Sequence, residues 1–259
     1  MAWWGTLLGG TLGYMFGGPL GALLGAALGR NFDHGVKLNY RQGEFDPGQQ
    51  ERVQAAFFTA TFSVMGQVAK SDGKVTQDEI AATESIMSRM QLDSGQRKAA
   101  IRLFNQGKET GFPLDEVLAQ FRQECHRRRS LVQMFLEIQI ATAMADGKLH
   151  AAERDLLYHI GGQLGFDRNS IEQLLHLAGQ PGAATQRGLP LAEAYAMLGV
   201  DSKASDAEVK KAYRRLMNQH HPDKLIAKGL PQEMIQIATE KTQQIKAAWE
   251  QIKSARGLN

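Results

Sequence analysis

The chain has 259 residues, 43% hydrophobic and 22% charged, with a formal net charge of +3. That length holds one to three domains, and the small positive excess does not by itself indicate nucleic-acid binding. The single cysteine, Cys125, excludes an intrachain disulfide framework and any Cys-x-x-Cys zinc site. A reducing compartment is the simplest reading, and a lone cysteine without a motif reads as core filler, not as a nucleophile.

Residues 1–29 carry no charged side chain. As a helix, Trp3 to Gly29 would reach about 40 Å, against a hydrocarbon core about 30 Å thick. Trp3 and Trp4 sit at one end; Arg30, Lys37 and Arg41 follow the other. We therefore expect residues 1–30 to be a transmembrane anchor, with residues 31–46 juxtamembrane. The positive-inside rule places the N-terminus outside and the remainder in the cytoplasm. A cleaved signal peptide fits less well, because there is no basic n-region and no small-x-small cleavage site. Gly5, Gly9, Gly13, Gly17, Gly21, Gly25 and Gly29 recur every four residues. On a helix they leave a groove that a second helix can approach closely, so we expect a homodimer. Pro19 interrupts this pattern.

Residues 47–178 read as all helix, with no alternating strand pattern. Asp46 and Pro47 suggest an N-cap and N1 proline. Val53, Phe57, Ala60, Val64 and Val68 share one helical face. Asp72-Gly73 stops that helix, and Thr76 to Glu79 fits a capping box for the next. Ser130 to Gln133 suggests another box, opening an apolar helix that runs through Ala145. The region repeats with an offset of 74: Asp72-Gly73-Lys74 and Glu79 align with Asp146-Gly147-Lys148 and Glu153. Two such units imply a pseudo-symmetric helical domain with a shared core.

This pattern resembles the TerB-like (tellurite-resistance) helical domain, which the resemblance links to divalent cations. Asp72, Glu79, Asp146 and Glu153 are the candidate oxygen ligands for a hard cation. Turn and capping chemistry explains most of the same residues, and neither loop has the EF-hand ligand set. The run His126-Arg127-Arg128-Arg129 could touch lipid head groups, though a solvated helix end is the plainer reading.

Residues 179–190 combine glycine, proline and small residues, which marks a linker. Beyond it, a first helix spans Glu193 to Leu198 and stops at Gly199. Ser205 to Glu208 is a capping box opening a second helix. There Val209, Ala212, Tyr213 and Leu216 line one face, while Lys210, Lys211, Arg214 and Arg215 occupy the opposite arc. His221 precedes Pro222, so this helix ends near His220. Pro231 suits N1 of a third helix, and Gly257 ends it. The expected result is an antiparallel hairpin with an exposed loop, His221 to Gly229, at its tip.

Tyr195 to Val200, Val209 to Leu216 and His221-Pro222-Asp223-Lys224, in this order, resemble a J domain over residues 191–259. The whole chain resembles the membrane-anchored DnaJ-like co-chaperones. That resemblance implies a partner, a DnaK-type chaperone, held by Lys210, Lys211, Arg214, Arg215, His221, Pro222, Asp223 and Lys224. It also implies a bacterial inner-membrane location, no enzymatic activity of the chain's own and no required cofactor. The C-terminal domain has 11 Lys and Arg against 8 Asp and Glu, too mild a balance for a DNA-binding footprint. The alternative is a cation- or stress-sensing membrane protein in which the middle domain is primary.

Overall fold

The computed structural model describes residues 13, 17–27, 48–71, 73, 77–90, 92–145, 147–178 and 190–258. Among them the chain is helical, without strands: α1 (residues 17–27), α2 (Gln49–Ala69), α3 (Gln77–Arg89), α4 (Ser94–Gly107), α5 (Leu114–Glu124), α6 (Arg129–Ala143), α7 (Ala151–Gln163) and α8 (Arg168–Ala178). After the linker come α9 (Leu191–Leu198), α10 (Asp206–His220), α11 (Pro222–Ile226), a 3-10 turn at Gln232–Met234 and α12 (Ile235–Arg256). The all-helical expectation holds.

The middle domain is built around α2 and α6. Val53, Phe57, Ala60, Val64 and Val68 are buried as their spacing predicts, and Ala56, Phe62 and Met65 are buried beside them. A helix covered on most sides belongs at the centre of its domain. Phe57, Phe121 and Phe135 form an aromatic knot, with ring centroids 4.6 to 6.4 Å apart. The helices α2 and α4 touch backbone to backbone: a Cβ on Gly66 would overlap the Phe104 carbonyl, and one on Gly107 the Ser63 carbonyl.

The repeat is structural. The helices α3 and α7 begin 74 residues apart and end 74 residues apart, and α4 and α8 also begin at that offset. Each half turns through a glycine with positive φ, Gly73 at 91° and Gly147 at 78°. Their amides donate to the Lys70 and Met144 carbonyls at 2.8 and 3.0 Å. Only glycine takes this backbone geometry without strain.

Some boundaries differ from expectation. α2 begins at Gln49 with Gly48 as its N-cap, while Asp46 and Pro47 lie outside the described residues. Ser130 does not cap α6, which starts one residue earlier behind Arg128. A turn in which the Arg128 amide donates to the Cys125 carbonyl at 2.9 Å, with Arg127 at φ 62°, launches that helix instead.

Of the N-terminal segment, α1 is described. It lies against α4 and α5: Gln120 Oε1 accepts the Leu20 amide at 2.8 Å, Arg102 donates to the Ala27 carbonyl at 2.5 Å, and Leu20 and Ala27 are buried. Among the described residues no helix is long and apolar enough to cross a membrane.

In the C-terminal domain α10 and α12 run antiparallel. Thr242, early in α12, donates to the carbonyl of His220 at the end of α10 (3.0 Å), and Arg256 at the far end of α12 reaches Asp206 at the start of α10 (2.7 Å). Ala194, Leu198, Val209, Ile245, Ala248 and Ile252 form their own core under α9. Tyr213 stacks on Trp249 with centroids 4.9 Å apart. The expected exposed loop is corrected. Residues Pro222–Ile226 are helical, Pro231 caps the 3-10 turn instead of opening α12, and Leu225, Gly229, Leu230 and Pro231 are buried. Proline at N1 pre-sets the backbone for a helical turn, and four apolar or small residues on its inner side need cover.

Candidate functional site: the α10–α11 face

Helix α10 begins with a formed capping box. The Ser205 amide donates to Glu208 Oε2 at 2.8 Å, and the Glu208 amide returns to Ser205 Oγ at 3.4 Å. The hydroxyl and the backbone amide of Ser205 hold the Glu208 carboxyl below its usual pKa. From this fixed start the helix periodicity sends Val209 and Ala212 inward. Lys210, Lys211, Arg214 and Arg215 are all exposed on the other side.

At the C-terminal end His221 adopts an extended backbone, φ −60° and ψ 123°, as the residue before a proline must. Its Nδ1 accepts the Asp223 amide at 3.3 Å, so the imidazole caps α11. The Asp223 side chain is 86% exposed and lies 4.0 Å from His221 Nδ1. Lys224 donates to Asn218 and stays exposed. Tyr213, Arg214, Arg215, Met217, Asn218, His221 and Lys224 line one open concavity of about 530 Å³. The structure thus joins the sequence-predicted His221, Arg214, Arg215 and Lys224 in one recess, with Asp223 at the tip. Lys210 and Lys211 lie about a turn earlier on the same helix. Positive charge over an apolar floor suits an acidic protein surface, where complementarity guides encounter.

Sequence reasoning missed Tyr213, Met217 and Asn218 as lining residues. Their signal is helical spacing: Asn218 falls four residues after Arg214 and shares its face. It also missed that His220 is buried, at 3% exposure, immediately before the tripeptide that ends in the exposed Asp223.

The other candidates fall differently. Glu153, a proposed cation ligand, is buried and accepts the His150 amide at 2.8 Å as the N3 member of a cap. The side chains of Asp72, Glu79 and Asp146 lie outside the described residues. Among the glycines of the four-residue repeat, Gly5 and Gly9 lie outside, Gly17 and Gly25 fall within α1, and Gly13 packs against Gly21. Cys125 is buried and its thiol is pushed up to about 12, chiefly by burial, so it is not a ready nucleophile.

Three family matches cover the chain in order. Residues 1–43 match the Co-chaperone DjlA transmembrane domain, residues 58–176 match Tellurite resistance protein TerB, and residues 193–256 match the DnaJ domain. The chain is 46% identical over 275 residues to Co-chaperone protein DjlA of Photobacterium profundum, covering 98% of this chain and 99% of that one. It is 44% identical to the Coxiella burnetii protein of the same name, across all of both chains. The Vibrio cholerae protein of that name is 43% identical over 98% of each. No solved structure matches. The first match supplies the membrane anchor that the apolar N-terminus predicted, and the third covers the recess described above. The chain therefore belongs to the DjlA family, as a membrane-anchored J-domain co-chaperone.

Proposed function

We propose that the chain stimulates ATP hydrolysis by a DnaK-type chaperone and confines that stimulation to the bacterial inner membrane. The observation that carries this reading is the His221-Pro222-Asp223 tip, with Asp223 exposed and His221 and Pro222 half-buried, beside the open cations of α10. Lys210, Lys211, Arg214 and Arg215 steer an acidic face of the chaperone's ATPase domain onto the helix. Pro222 fixes the backbone of the tip, and the exposed Asp223 carboxylate with the half-exposed His221 ring makes the polar contacts. The groups that cleave ATP are the chaperone's, so the chain is a regulator without catalysis of its own and needs no cofactor.

The uncharged N-terminus with Arg30, Lys37 and Arg41 behind it supports a periplasmic N-terminus and cytoplasmic domains. The four-residue glycine repeat supports a homodimer within the membrane. Gly17→Leu, whose added side chain starts from a position with nothing within 4 Å in the chain itself, is expected to lower self-association in a membrane two-hybrid assay.

The decisive test is single-turnover ATP hydrolysis by purified DnaK with the full chain in detergent micelles. Wild type is expected to accelerate hydrolysis, and His221→Gln to abolish the acceleration. Equal acceleration by both proteins would remove the reading.

A further inference from the structure

The inner side of the α11–α12 corner is packed on the middle domain. Leu225, Leu230, Met234 and Ala238 are almost fully buried and belong to the apolar core of the middle domain, separate from the core under α9. At Gly229 the two domains meet closely: a Cβ there would stand 2.9 Å from Val53 Cγ1.

Polar contacts ring this apolar centre. Lys228 Nζ donates to Ser130 Oγ at 3.0 Å, and Gln96 Nε2 donates to Glu233 Oε1 at 2.6 Å. Arg89 pairs with Glu240. Glu137 lies 3.8 Å from Lys241 and 3.5 Å from His220. The middle domain contributes through α2, α3, α4 and α6, four elements converging on one corner. An apolar centre with a polar, paired rim is the anatomy of a specific interface.

The two faces of the corner are used differently. His220 and Leu225, which flank the tripeptide, are buried, while Lys210, Lys211, Arg214, Arg215, Asp223 and Lys224 are exposed. We infer that the middle domain is a docking platform for this chain's own J domain: it grips the α11–α12 corner from behind and holds the chaperone-binding face outward in one orientation. The occupant is the J domain of the same chain. Residues 179–190 connect the two, and a short connection keeps the local concentration of one partner near the other in the millimolar range. The J domain thus meets its chaperone as part of one docked body, so the chaperone arrives at a set angle to the membrane-tethered domain. The last step rests on the co-chaperone reading above; the dock itself does not.

A short bis-maleimide cross-link tests both. The full chain in detergent micelles carries Ser130→Cys and Lys228→Cys in a Cys125→Ala background. The expected result is an intramolecular product, lost when Glu137→Arg and Arg89→Glu are added. The cross-linked protein is then expected to accelerate DnaK hydrolysis as fast as the uncross-linked one. Absence of the intramolecular product, or a product linking two chains, overturns the dock. A cross-linked protein that loses stimulation retained by the uncross-linked one shows that docking hides the chaperone face, which overturns the outward orientation. If neither form stimulates, the co-chaperone reading fails while cross-link yield still decides the dock.

Discussion

At the scale of single residues, Gly107 is where the middle domain tolerates least. Its α-carbon faces the Ser63 carbonyl of α2, and any side chain there forces the two helices apart. Gly107→Ala is expected to cost about 1–3 kcal/mol, the usual range for overpacking, seen as a lower urea midpoint. Gly162 supplies the contrast. It lies inside α7, and a methyl group added there would meet nothing within 4 Å, so Gly162→Ala is expected to gain about 0.5–1 kcal/mol through lost backbone freedom in the unfolded chain. Cys125 gives a chemical test at the same scale. With its thiol pushed up to about 12 by burial, it is expected to resist a thiol-specific disulfide reagent at pH 8 in the folded protein and to react at once in denaturant. Rapid reaction of the native protein would show that the site is open. The role of Cys125 was legible in the sequence, because a lone cysteine without neighbours of catalytic type is normally buried. The role of Gly107 was not, because close approach is a relation between two helices and has no local signature.

At the scale of elements, capping shows what the sequence can carry. Ser205 and Glu208 form their predicted box, since both partners lie within one turn and depend on nothing distant. Ser130 matched the same pattern and does not cap, because the turn from Cys125 to Arg128 fixes where α6 begins. The cap at Glu153 was hidden behind His150, an uncommon N-cap residue. Ser205→Ala is therefore expected to lower stability by about 1 kcal/mol, read as a lower midpoint in chemical denaturation. The C-terminal end of α12 is held by Arg256, which donates to the Tyr195 hydroxyl, the Ala204 and Ser202 carbonyls and Asp206. This fork joins three elements, and its planar geometry is not reproduced by an ammonium. Arg256→Lys is expected to lower the thermal midpoint of the J domain while leaving α10 its exposed cations.

At the scale of the whole molecule, the three-part order was legible because each part announces itself locally: an uncharged apolar run, an Asp-Gly repeat, and a tripeptide between helices. The dock between the last two parts was not, although Leu225, in the segment read as an exposed loop, and Leu230, Pro231 and Met234 just beyond it form an apolar set, and such a set requires a covering surface. His220 gives that surface a pH dependence. It is buried between α10 and the middle domain, facing Glu137 from α6 and Lys241 from α12. Its pKa is lowered, first by burial, with Lys241 lowering and Glu137 raising it. The free ring titrates near 6.5, so above about that pH both docked and undocked forms are neutral and the dock keeps its full strength. As pH falls below it, the undocked ring takes a proton that the docked ring resists, and docking weakens towards the lowered pKa. Single-pair energy transfer between dyes on the middle and C-terminal domains is expected to show one close population at pH 8 and a growing distant one on acidification. His220→Gln, which cannot titrate, is expected to flatten that curve. A wild-type population that stays close well below the titration range of free histidine, or a His220→Gln curve that follows wild type, would assign the acid response to other groups.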